Sequence, residues 1–343
     1  MKKIKITVLS VSAVVIGIIL ITDSKGISDT IRECTETCLD SLIPSLFCFM
    51  LFASVLIGSG IGKIITAPIW VIIRYILKLD CNMFSVYLLS QFGGYPIGVK
   101  LLNELIRKDN KYKEQAQKAI YYCFSSGPAF VTGIVGIGIY NDITAGIIIY
   151  VSCFMANLIT AVVANIKNKT PIYENMSYRI IQIKISSYLK ECIKSLIQIV
   201  AAILLFNSIA EVANFILTQL FDINITYIIN TLIEITNIKQ ANPVPSIILS
   251  TIFISFGGMC IIYQILTLAE FRIKVINFIA ARTIITLLSA SICKIIIYST
   301  GYSPSLSVFA YKFDMAVTNP VVAICVICMT GIVLSEATTV RKK

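Results

Sequence analysis

Phe92-Gly93-Gly94-Tyr95-Pro96-Ile97-Gly98 lies inside a long apolar run and breaks it with paired glycines. Phe256-Gly257-Gly258-Met259-Cys260-Ile261-Ile262 repeats the arrangement in the second half of the chain. At membrane depth such a break opens backbone groups that lipid cannot satisfy, so the opened chain must line a cavity or be covered by protein. Two breaks, one per half, are the pattern of transporters built from two repeats around a midplane site. The expected fold is an all-α polytopic membrane protein. It would comprise two inverted repeats, with broken or re-entrant helices meeting near the bilayer midplane.

Composition points the same way. The chain is 57% hydrophobic and 14% charged, with a mean hydropathy of +0.86, where a soluble domain carries about 25% charged residues. The net charge of +11 comes mainly from loops between apolar runs, a distribution that sets membrane orientation rather than binding nucleic acid. There is no histidine, which removes the usual metal ligand and the usual general base. No metal site and no cofactor are expected. The eleven cysteines are mostly scattered singly in apolar runs, where a thiol behaves as a small hydrophobe.

Residues 1–41 read as an N-terminal anchor helix, its start in the cytoplasm, followed by an amphipathic segment over 27–41. Candidate spans in the first half are 42–60, 63–79, 82–102, 119–139 and 143–165. The second half offers 191–217, 223–238, 244–269, 275–299 and 316–336. The chain thus divides into a first repeat over 42–165, a basic cytoplasmic linker over 166–190 and a second repeat over 191–343. The basic clusters around Lys100–Lys118 and Lys167–Lys190 both belong in the cytoplasm, and so does the tail Arg341-Lys342-Lys343. Eleven full crossings would place that tail outside, so at least one segment is expected to be re-entrant.

Polar groups inside these runs are the candidate site. Gly93, Gly94 and Pro96 open the first break, and Gly257 and Gly258 the second. Ser125 and Ser126 precede Gly127-Pro128, where freed backbone and hydroxyls suit a polar substrate; close packing through small residues is the alternative. Glu234, Thr236 and Asn237 put a carboxylate, a hydroxyl and an amide in one short apolar segment. An ionisable group at that depth marks a pathway or coupling site, unless the segment ends at the interface. Glu234 is the candidate for coupling to a proton or Na+. Arg282 is suited to clamp an anion, or else lies near enough to the boundary to snorkel. Gln91 and Gln264 are weaker candidates for polar lining. No Walker motif, G-x-S-x-G elbow or hydrolase carboxylate pair appears, so no catalytic residue is assigned and an enzyme is not expected.

Several elements resemble one known group. Ile43-Pro44-Ser45-Leu46-Phe47, Gly94-Tyr95-Pro96-Ile97-Gly98 and Ser125-Ser126-Gly127-Pro128-Ala129-Phe130 are similar to the sporulation integral membrane proteins of the YlbJ type, also called SpoVV. So are Leu232-Ile233-Glu234-Ile235-Thr236-Asn237, Ser255-Phe256-Gly257-Gly258 with Gln264, and Ala281-Arg282. The likeness runs over about 40–300, and its group carries the nucleoside-recognition or Gate domain of concentrative nucleoside transporters. The resemblance implies a protein of the mother cell and outer forespore membrane that moves dipicolinic acid toward the forespore. A nucleoside-type permease and a non-transporting scaffold for spore assembly are the alternatives. Ile262 stands where a histidine is expected in relatives. The expected partners are therefore a small organic anion, a coupling proton or Na+, and the lipid bilayer, with no nucleic acid and with a homo-oligomer left open.

Overall fold

The computed structural model describes residues 24–168, 185–220, 226–240 and 244–302. The regular elements there are all helical, with no strand among the described residues. Four helices are long and apolar enough to cross a bilayer: Ile143–Asn165, Ile185–Asn214, Ile247–Leu268 and Val275–Thr300. A fifth candidate is a pair, Leu46–Ser59 and Ile61–Leu77, bent by 86°. The chain is an all-α polytopic membrane protein. Its outer faces agree: on the last described helix Ile276 is 83% and Ile284 68% exposed, a surface suited to hydrocarbon.

In chain order the helices are α1 (Ser24–Thr37), α2 (Ile43–Ser59), α3 (Ile61–Leu77), α4 (Cys81–Gly93), α5 (Tyr95–Lys108) and α6 (Lys113–Ala119). There follow α7 (Phe130–Tyr140), α8 (Ile143–Asn165), α9 (Ile185–Leu220), α10 (Thr226–Ile233), α11 (Ile247–Phe256), α12 (Gly258–Leu268) and α13 (Val275–Thr300). Local chemistry sets several ends. The Asp80 carboxylate accepts the Met83 N–H at 2.7 Å and starts α4, Asp142 does the same for Thr144 at 2.8 Å, and Ser246 caps α11. Each takes up an N–H that the first helical turn leaves without a partner. Gly60, at φ +83°, turns α2 into α3.

Three groups of helices pack together. α8, α11 and α13 form one, with α7 against α8; α2, α3, α4 and α5 form another; α9 carries α1, α10 and α12. α5 meets α12 between the last two groups. The amphipathic α1 turns Ile27, Ile31 and Cys34 inward, and Cys34 packs with Ile199 and Ile203 of α9. Its apolar side is thus covered by protein.

Several expected spans change form. Segments 42–60 and 63–79 are one sharply bent pair, and 82–102 is two half-helices separated at Gly94. Segment 119–139 is non-helical from Ile120 to Gly127 and then only the short, largely π-helical α7. Segment 223–238 contains the short α10, a break at Glu234 and a 3-10 turn, Ile235–Gln240. In each case a Gly, Pro or polar residue sits where an unbroken helix would need an apolar one. The helix expected over 191–217 begins at Ile185, inside the anticipated linker. The anchor over 1–23, the rest of that linker over 169–184, and the segment 316–336 with the basic tail lie outside the described residues.

Candidate functional site

The two Gly-Gly breaks meet in space. Gly94 takes φ +91°, ψ 170° and ends α4; Tyr95 and Pro96 restart the helix, where proline's missing N–H costs nothing. Gly257 and Gly258 lie at φ +87° and +76°, a region L side chains rarely adopt. One strip, 123–127, packs against both breaks. A Cβ on Gly98 would lie 1.8 Å from the Cys123 carbonyl oxygen, and one on Gly257 would lie 2.6 Å from the Phe124 ring. Tyr95 closes the junction: its ring centroid is 4.9 Å from that of Phe124, and its hydroxyl donates to the Ile254 carbonyl in the last turn and a half of α11.

A cavity of about 380 Å³ lies beside this junction, within the usual range for small-molecule sites. Gly93, Gly94 and Pro96 of the first break line it, as do Glu234 and Thr236 from the broken segment after α10, and Gln264 of α12. The remaining walls are mainly apolar, with Phe49, Phe92 and Phe130 among them. Six of the residues anticipated from sequence therefore line the same cavity: Gly93, Gly94, Pro96, Glu234, Thr236 and, among the weaker candidates, Gln264. Ser125, Ser126, Asn237, Gly257, Gly258 and Arg282 are not part of the lining.

Glu234 is 1% exposed. Its Oε1 accepts from the backbone N–H of Thr236 at 3.2 Å and from the Thr236 hydroxyl at 3.1 Å. Among the described residues its Oε2 has no N–H or O–H partner, the Cys260 thiol being the neighbouring group, and no Lys or Arg there forms an ion pair with it. A buried carboxylate in that state is neutralised by a bound cation or proton. Gly258 is close by, since a Cβ there would stand 3.2 Å from the Leu232 carbonyl oxygen at the end of α10.

Arg282 is also 1% exposed, and it stands behind the cavity wall. Tyr95 lines the cavity and packs on Phe124; the Arg282 guanidinium lies 4.1 Å over the Phe124 ring. Nη2 donates to the Ser255 carbonyl, and Nη1 reaches the Tyr121 carbonyl and Asn157 Oδ1, each at 3.4 Å. The guanidinium thus caps the C-terminal end of α11, where the break frees carbonyls and the helix dipole favours a cation. Its Nε has no partner among the described residues.

Sequence reasoning missed Tyr95, Phe124 and Asn157. Asn157 donates to Gln91 Oε1 at 3.2 Å and to the Phe124 carbonyl at 3.0 Å, joining the two breaks through a buried polar network. The available signal was an amide in the middle of the apolar run 143–165, a costly placement unless it is partnered. Tyr95 and Phe124 carry no comparable mark, being two aromatic residues among many.

Comparison with known proteins adds one finding. Over 117 residues the chain is 26% identical to the sporulation integral membrane protein YlbJ of Bacillus subtilis (strain 168). That match covers 34% of this chain and 29% of the relative, so it spans less than a third of the relative's length. No family model matches the chain, and no solved structure matches it.

Proposed function

We propose that the chain is a secondary transporter, or permease, for a small planar organic solute, with no catalytic step. The cavity between the two broken helices carries the proposal: it is of small-molecule size, mostly apolar, and bordered by opened backbone and by Glu234. Glu234 would bind the coupling proton or Na+, its Oε2 having no N–H or O–H partner among the described residues. The preferred substrate class is an organic anion, with dipicolinate the first choice. The likeness to a sporulation protein and the cationic Arg282 behind the cavity wall support that choice. By the same likeness, the protein would serve sporulation from the mother-cell or outer forespore membrane, as a monomer or a homo-oligomer.

A second reading, a nucleoside-type permease, has its own support: the charged group lining the cavity is Glu234, and Arg282 stands outside the lining. Binding to the purified full-length protein in detergent separates the two. Dipicolinate binding that is lost in Arg282→Ala, with monodispersity retained, supports the anion reading. Binding of a nucleoside but no dianion supports the second. A folded protein that binds neither overturns both and leaves a membrane scaffold.

A further inference from the structure

Glu234 lines the apolar cavity. Beyond Thr236 is a second space, a polar hollow of about 20 Å³ that Glu234 itself does not line, with room for one water. Thr236 lines both spaces. The hollow forms where α1 covers the 3-10 turn: Thr30 and Cys34 of α1, Asn207 of α9 and Asn237 contribute to its walls. Its outer residues Glu33 and Lys239 are exposed, while Asn207, Thr236 and Asn237 are buried. The space therefore grades from charged and wet to buried and polar over the distance from α1 to Thr236.

We infer that Glu234 exchanges a proton with solvent through this hollow, with the Thr236 hydroxyl as the relay, and that the coupling ion is H+ rather than Na+. The inference rests on the transport reading for its purpose but not for its geometry. The Thr236 hydroxyl already donates to Glu234 Oε1 at 3.1 Å. Its proton passes to the carboxylate while its oxygen takes one from the water in the hollow. That water is recharged from solvent at the mouth, so the net change is one proton moved from solvent to Glu234. Na+ is disfavoured by the same features. It would meet the Lys239 ammonium, which donates to Thr37 Oγ1 at 2.9 Å at the entrance and repels a cation there.

The other titratable groups facing Glu234 are thiols and a phenol. Cys34 and Cys38 come from α1 and the turn after it, Cys260 from α12 and Tyr95 from α5. On α9 the nearest carboxylate to the hollow is Glu211, which accepts from the Thr30 hydroxyl at 3.1 Å. None of these stands between Thr236 and Glu234.

Infrared spectroscopy of the full-length protein in lipid nanodiscs tests the route. The protonated carboxyl band of Glu234 is identified by its loss in Glu234→Gln, and its shift is timed after transfer to D2O. Thr236→Val, which keeps the shape and the backbone N–H but removes the hydroxyl, should slow the shift at least about tenfold, equivalent to about 1.4 kcal/mol of barrier. Thr236→Ser should restore it. Ala129→Phe, which fills the apolar cavity instead, should leave the rate unchanged. The inference is overturned if Thr236→Val exchanges at the wild-type rate, or if Ala129→Phe is the variant that slows. It also falls if no Glu234-dependent band exists at any pH at which the protein is folded, or if Na+ rather than H+ shifts the band. Solute flux is measured separately in liposomes: exchange through Thr236 without flux would sink the transport reading and leave the proton route standing.

Discussion

Gly257→Ala isolates the packing that holds the two breaks together. The substitution has three terms. Holding an L residue at φ +87° costs roughly 1–2 kcal/mol. A less flexible unfolded chain returns about 0.4–1 kcal/mol. The new methyl, 2.6 Å from Phe124 Cζ and 3.4 Å from Tyr95 Cε1, must push aside a ring that Tyr95, Phe278 and Arg282 hold on other sides. Overpacking of that kind costs about 1–3 kcal/mol. Gly301→Ala is the matched control, because Gly301 is also left-handed, at φ +63°, yet has nothing among the described residues within 4 Å of its missing Cβ. The difference between the two variants is therefore the overpacking alone, about 1–3 kcal/mol. Reversible unfolding in mixed SDS micelles reads it through Trp70, the single tryptophan, which is buried and hydrogen-bonded to the Leu79 carbonyl at 2.8 Å. Phe124→Leu in the Gly257→Ala background should recover most of the loss, with a coupling of at least about 1 kcal/mol in the double-mutant cycle. Equal losses for Gly257→Ala and Gly301→Ala, or no coupling to Phe124, would refute the packing account.

Two further substitutions probe the same junction. Gly98→Ala should exceed the loss in Gly257→Ala and come out above about 3 kcal/mol, because its obstacle is the Cys123 backbone carbonyl rather than a side chain; the same SDS titration checks it, with Gly133→Ala, in open space, as the tolerated control. Tyr95→Phe should cost about 1–2 kcal/mol by orphaning the buried Ile254 carbonyl while leaving the cavity wall in place; a neutral result by unfolding would mean another donor reaches that carbonyl.

Much of this architecture can be read from residues alone. Paired glycines in apolar runs announced both breaks, because no other residue allows that backbone so cheaply. The carboxylate of Glu234 stood out because charge in an apolar segment is costly and so rarely accidental. Segment counting failed where length and composition do not distinguish a crossing from a bent or broken helix. Gly60 turns two apparent spans through 86°, and Ile120–Gly127 leaves the helical state inside an apolar run. The placement of Arg282 was equally hidden. An arginine among alanines reads the same whether it faces a cavity or a helix end, and the contacts that decide it, with Ser255, Asn157 and Phe124, come from three distant stretches of chain.

The strip 123–127 has a consequence for how this chain can change over generations. It fills the space of missing side chains at Gly98 and Gly257, which lie about 160 residues apart in the chain, so the two halves share one steric ledger. A larger residue at Gly257 is tolerated only after Phe124 shrinks. A shrunken Phe124 in turn removes the surface on which the Arg282 guanidinium rests. Drift in one half therefore has to wait for permission from the other, and the two breaks are expected to vary together or hardly at all.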